Sequence, residues 1–170
     1  MWEVPADFKR LDEIVVSDLL GVVGAYVIWD SQARVRPSYI GEGEILKRFS
    51  EHSLNFAMPI RGYVAVVGNL SRKYYKQDAE ILEAVLLSIA ERIDCFPLHN
   101  KQRGSYSAIE RVFENSRVLK IQLRGHDPFQ DPAQPREFRE QRLIRLRSST
   151  GLIQIDHPWR ESATWTKRYI

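Results

Sequence analysis

The sequence predicts an α+β fold: a small three-stranded, largely antiparallel sheet flanked by helices, followed by a C-terminal extension. Three observations carry this expectation. First, GAYVIWD (24–30), SYIGEG (38–43) and GYVAVVGNL (62–70) are short runs rich in β-branched and aromatic residues, bounded by glycine, proline or polar residues. Second, EILKRFSEHS (44–53) places Ile45, Leu46 and Phe49 at helical spacing with a charged opposite face. Third, DAEILEAVLLSIAERI (78–93) carries Leu82, Val85, Leu86, Ile89 and Ile93 as an apolar stripe, with Asp78 placed to cap its N-terminus.

In chain order, the first twenty residues read as a short amphipathic helix around ADFKRLDEI (6–14). SQARVRP (31–37) then connects the first two strands, because Pro37 is unsuited to a central strand. Beyond CFPLHNKQRG (95–104), SYSAIERVFENS (105–116) reads as a helix, with Ser107 and Glu110 spaced as a capping box. RVLKIQL (117–123) reads as a strand and HDPFQDPAQPRE (126–137) as a proline-rich connector. FREQRLIRLRSSTGLIQID (138–156) fits either a basic helix or a hairpin turning at SSTG. The expected division is a compact unit over residues 1–104, with the short N-terminal helix, and a basic extension over 105–170.

Composition narrows the class. The 170 residues are 44% hydrophobic and 28% charged, ordinary for a globular chain. A lone cysteine, Cys95, excludes an internal disulfide, and its apolar context in IDCFPL suits an inert buried thiol. No apolar run approaches membrane-spanning length and the N-terminus lacks a signal-peptide core, so a cytoplasmic protein with no membrane partner is expected. Charge is uneven: residues 1–100 carry 11 Lys+Arg against 14 Asp+Glu, and residues 101–170 carry 14 against 8. A basic C-terminal part suits a polyanionic partner.

The polar residues of the first half form a pattern. Side chains alternate faces along a strand, so Tyr26 and Tyr39 share a face if their strands pair in suitable register. Residues four apart share a helix face, so Arg48 and His52 point the same way. Taken singly, each has an ordinary structural reading: tyrosines pack well in strands, and Arg48, His52 and Glu83 would be solvated helix residues. His99, and the pair His126 and His157, lack spacing typical of a metal site. The tail carries Arg136, Arg139, Arg142 and Arg145 at every third residue, suited to phosphate contacts. Trp159, Trp165 and Tyr169 would either stack on bases or pack the tail.

The ordered set of GAY (24–26), SYIG (38–41), Arg48 with His52, a glutamate-bearing helix and Asn100 resembles the GIY-YIG nuclease family over roughly residues 20–101. The resemblance implies a metal-dependent endonuclease that hydrolyses phosphodiester bonds, of DNA over RNA. It implies catalytic roles for Tyr26 (general base), Tyr39, Arg48, His52 and Asn100. Glu83 would be the ligand of a divalent metal, Mg²⁺ first and Mn²⁺ second. The resemblance favours Glu83 over Glu80 because Glu83 precedes an apolar pair, as the family's glutamate commonly does; helix geometry agrees, since Glu83 borders the apolar stripe while Glu80 points almost opposite. Lys47, Arg139, Arg142 and Arg145 are the expected nucleic-acid contacts. Two positions depart from the family pattern: Ala25 replaces its usual isoleucine, and Glu42 stands where many relatives carry lysine, a charge reversal expected to repel substrate unless Glu42 turns away or Lys47 substitutes. The competing reading is a catalytically silent nucleic-acid-binding module. The oligomeric state is open, a homodimer being one way to cut two strands.

Overall fold

The computed structural model describes residues 1–52, 55–69, 74–101, 106–149 and 152–160. Among these, seven strands form one mixed sheet: β1 (Trp2–Arg10), β2 (Val22–Trp29), β3 (Tyr39–Glu44), β4 (Arg61–Asn69), β5 (Val118–Gly125), β6 (Arg142–Ser149) and β7 (Leu152–Asp156). Three α-helices accompany them: α1 (Ile45–His52), α2 (Tyr74–Arg92) and α3 (Tyr106–Asn115). The strand order is β3-β2-β4-β1-β5-β6-β7. The expected three-stranded sheet is therefore too small. β3, β2 and β4 are antiparallel as anticipated, but four more strands continue the same sheet.

The discrepancy starts at the N-terminus. Residues 2–10 form β1 instead of the start of a helix, with Val4, Ala6 and Phe8 fully buried at every second position. Alternation with period two is the signature of a strand. β1 runs antiparallel to β4 through Phe8–Arg10 and parallel to β5 through Trp2–Phe8, joining the two halves of the chain. Among the described residues it is paired on one side only over Trp2–Asp7, a place where Pro5 is tolerated. The tail is a hairpin: β5, β6 and β7 pair antiparallel in succession. Its turn at Thr150–Gly151 lies outside the described residues, as do Ser105, Trp165 and Tyr169.

β2 is buried on both faces, which explains its continuous apolar run. Val23, Ala25, Val27 and Trp29 join the main core with Leu82, Leu86 and Ile89 of α2. Tyr26 and Ile28 face the other way, into a smaller core with Ile45 of α1 and Val64 of β4. Asp78 does not cap α2, which begins at Tyr74; it lies inside the helix and accepts a hydrogen bond from Trp2 Nε1 at 2.9 Å. Among the described residues no helix is long and apolar enough to cross a membrane.

One buried carboxylate ties down the approach to β3. Asp30, 1% exposed, accepts hydrogen bonds from Ser38 Oγ at 2.8 Å and from the backbone N–H groups of Gln32, Ala33 and Ala57. Burial alone would raise its pKa; the hydroxyl and the three N–H donors outweigh that and hold it below the ordinary range. The β2–β3 connection and the segment before β4 are thereby fixed to one anchor.

Candidate active site at the sheet edge

β3 is an edge strand, and it is paired to β2 with Tyr26 opposite Gly41 and Ile28 opposite Tyr39. This register puts Tyr26 and Tyr39 on the same face, the one that α1 covers. Their rings stack with centroids 6.2 Å apart. The chain enters α1 directly from Glu44, so the helix lies over that face and brings His52 to the tyrosines. Tyr26 Oη and His52 Nε2 are 3.0 Å apart, and the His52 ring lies 4.7 Å from that of Tyr39. Phe49 and Phe56 wall the cluster, at 5.2 Å from Tyr26 and 5.9 Å from Tyr39 respectively.

The glycines of YIGEG have a steric purpose. A Cβ on Gly41 would stand 2.5 Å from Tyr26 Oη and 2.7 Å from Tyr39 Cε1. A Cβ on Gly43, whose φ is +130°, would meet Arg48 Nε at 2.9 Å. These two positions form a notch in the edge strand that is filled by the buried Tyr26 hydroxyl and the Arg48 side chain. Arg48 holds an exposed 3.1 Å ion pair with Glu51, one turn on. Exposed pairs of this kind contribute about 0.2–1 kcal/mol, so the guanidinium exchanges it readily for a better anion.

Ile40, Glu42 and Glu44 alternate to the other face, and Ile40 is part of the main core beneath α2. Glu42 accordingly turns away from the tyrosine face, towards α2, where it senses Glu80 and Lys76. Burial raises its pKa, and its Oε2 is buried with no hydrogen-bond partner. Glu83, on α2, is pushed up to about 7 by burial first and then by Glu42, with Arg48 pulling the other way. Both carboxyls and both phenols sense Arg48, so the rim of β3 is where groups from the two faces of the sheet meet.

No protein-family model, no curated protein and no solved structure matches this chain.

The local chemistry follows from those fields. Burial lifts the Tyr26 hydroxyl far above the ordinary phenol range, Tyr39 adds to the effect, and Arg48 only partly opposes it. His52 is held below its ordinary value by burial and then by Arg48, which leaves a neutral imidazole at pH 7. A neutral imidazole with its proton on Nδ1 can accept the Tyr26 O–H through Nε2. Asn100 stands behind the site: its Nδ2 donates to the Ile40 carbonyl at 2.9 Å and its Oδ1 accepts from the Ile40 N–H at 2.8 Å. One side-chain amide thus pairs with the outer edge of β3 as a neighbouring strand would. Asn100→Asp would lose the donor and set a carboxylate against a carbonyl. A loss of about 1–3 kcal/mol is expected, read as a lower urea midpoint at neutral pH that partly recovers in acid.

The remaining marked residues separate. Glu80 is occupied by Arg111 of α3, Nη2 to Oε2 at 2.9 Å, so of the two candidate glutamates Glu80 and Glu83, Glu83 is the unpaired one among the described residues. Lys47 is exposed, on the side of α1 away from buried Ile45. Arg139 and Arg142 line a cleft at the far end of the sheet. Arg145 points to the opposite face of β6 from Arg142, because three residues along a strand reverse the direction. His126 is engaged by Glu13 at 3.1 Å. Sequence reasoning treated Glu42 only as a departure and passed over Phe56; the alternation of YIGEG was the available signal for Glu42.

Among the described residues no group of three or more His, Cys, Asp or Glu could hold a metal ion. Glu83 and Glu42 nonetheless supply hard oxygen donors, one of them the orphaned Oε2 of Glu42. A cation that keeps most of its waters needs only one or two carboxylates and completes its shell from substrate phosphates, so this pair fits Mg²⁺ and lacks the donors for zinc.

Proposed function

We propose that this chain is a metal-dependent endonuclease of the GIY-YIG kind, hydrolysing phosphodiester bonds in nucleic acid, DNA in preference to RNA. The observation that carries this reading is the Tyr26–His52 pair at 3.0 Å, set in the Gly41 notch of an edge strand, with Arg48 and Glu83 sharing its field. A structural core has no use for a phenol, an imidazole, a guanidinium and a carboxylate at one rim.

The residues divide the work. Arg48 leaves Glu51 and pairs with the non-bridging phosphate oxygens, for which a planar guanidinium is better shaped than an ammonium. The Tyr26 hydroxyl is too hard to ionise to wait as a phenolate, so it acts as a relay. As His52 Nε2 takes the Tyr26 proton, Tyr26 Oη takes one from the attacking water. Tyr39 and Phe56 pack the imidazole in place. Asn100 keeps β3 straight by pairing with Ile40. Glu83, with Glu42 beside it, would hold Mg²⁺ or Mn²⁺. When bound, such a cation supplies charge neutralisation for the phosphate and the departing oxygen.

Glu42 turns towards α2 and Glu83, where a bound cation would offset its charge, and this supports the enzyme over the silent binding module. The test is incubation of the purified protein with supercoiled plasmid in Mg²⁺ or Mn²⁺ and in EDTA. Nicked and linear products in either metal, and none in EDTA, are expected. Intact plasmid under every condition, alongside retained DNA binding, would favour the silent module.

A further inference from the structure

At the other end of the sheet a concavity of about 950 Å³ opens between the proline-rich connector, the start of β6 and the segment after β7. Four guanidiniums line it, from Arg136, Arg139, Arg142 and Arg160, against two carboxylates, Asp127 and Glu137. Of these, Asp127 is tied into the cleft wall, while Glu137 is exposed. Asp127 Oδ1 accepts Trp159 Nε1 at 2.9 Å and the Phe129 N–H at 3.0 Å, and Glu137 lies 3.7 Å from His126. Among the described residues no carboxylate pairs with Arg139, Arg142 or Arg160.

The back wall is rigid. Trp159 meets Phe129 edge-on at 5.0 Å and Phe138 at 6.1 Å, and the backbone of Phe138 donates to the Gly125 carbonyl at 2.9 Å. Fixed walls carrying four guanidiniums against two carboxylates keep an excess of positive charge, which is costly by self-repulsion unless an anion is to be received. Guanidiniums match phosphate oxygens in bidentate geometry. They come from three separate chain segments spread around a wide opening, which suits several phosphates in a row better than one compact anion.

We propose that this cleft binds the phosphate backbone of a nucleic-acid strand, remote from the β3 rim. It extends the nuclease reading by supplying a second hold on the same substrate, although binding here needs neither metal nor cleavage. Five strand steps at about 4.8 Å place β6 about 24 Å from β3. That is about seven base pairs at 3.4 Å per step, so a polymer reaches both places and a mononucleotide does not.

The experiment measures binding of a short labelled DNA duplex to the full-length protein in EDTA, between about 50 and 200 mM salt. The proteins compared are the wild type, Arg139→Gln/Arg142→Gln, Arg160→Gln, and Arg117→Gln as an exposed control outside the cleft. All four lie at exposed positions, and unchanged thermal melts exclude misfolding. Each lost phosphate contact should lower the slope of log K against log salt by about 0.9, so by about 1.8 in the double variant, with affinity down about tenfold to a hundredfold. Arg160→Gln should lose about half that slope and Arg117→Gln none. An unchanged slope in both cleft variants overturns the proposal, as does full displacement of the duplex by polyglutamate of equal charge. Loss of slope in a protein that never cleaves plasmid removes the nuclease reading and leaves the cleft standing. Cleavage with an unchanged slope does the reverse.

Discussion

Gly41→Ala is expected to lower phosphodiester cleavage by about 10²-fold or more, while costing about 1–3 kcal/mol of stability. The added methyl would sit 2.5 Å from Tyr26 Oη and 2.7 Å from the Tyr39 ring. Tyr26 is 1% exposed and hemmed in by Phe49 and Tyr39, so its ring cannot swing clear without disturbing the smaller core. The hydroxyl moves instead, and the 3.0 Å contact with His52 is lost. A fold that only stores tyrosines would register the methyl as overpacking, with no disproportionate loss of activity. Cleavage rates and urea midpoints measured on the same preparation separate the two cases. Equal proportional losses would deny Gly41 its role as the notch.

The second large effect is on stability and its dependence on pH. Glu83 stands at about 7 in the folded chain, raised chiefly by burial and then by Glu42, against an ordinary glutamate value of 4.5. A carboxyl whose folded pKa is raised favours the folded state only while protonated. Its ionisation therefore costs nothing below about pH 4.5, a growing amount as pH rises towards 7, and a constant amount above. A rise of this size corresponds to about 3 kcal/mol. Glu83→Gln keeps the shape and removes the charge. In EDTA at about pH 8 it should melt about 5–10 °C higher than the wild type, with the two curves converging near pH 4.5. A variant no more stable at high pH would mean that Glu83 ionises freely in the fold. Such a stored cost, on the one of the two candidate glutamates left unpaired among the described residues, is what a site held ready for a cation would carry.

Much of the site was readable because its parts are local. The tyrosine pair and the helix pair Arg48 and His52 follow from periodicity along single elements, and the structure places Tyr26, Tyr39 and His52 in one cluster. The sheet was not readable for the opposite reason. β1 lies between β4 and β5, more than a hundred residues from its parallel partner, and no local pattern records such pairing. Phe8, Leu11 and Ile14 recur at every third residue among charged neighbours, as on an amphipathic helix, and this masks the period-two run Val4, Ala6 and Phe8. The arginine repeat left helix and hairpin open. A period of three makes a stripe on a helix, but β6 sends Arg142 and Arg145 to opposite faces. Glu42 required knowing which face of β3 meets α2.

The most direct measurement compares wild type and Glu83→Ala under single-turnover conditions, on supercoiled plasmid with Mg²⁺, with DNA affinity determined in parallel in EDTA. A metal-dependent wild-type rate that falls at least about 10³-fold in the variant, with affinity equal or tighter because a carboxylate has left the phosphate site, is the predicted result. Cleavage that survives the substitution, or a wild-type protein that binds the plasmid and never cuts it in either metal, would contradict the assignment of this rim as a phosphodiesterase site.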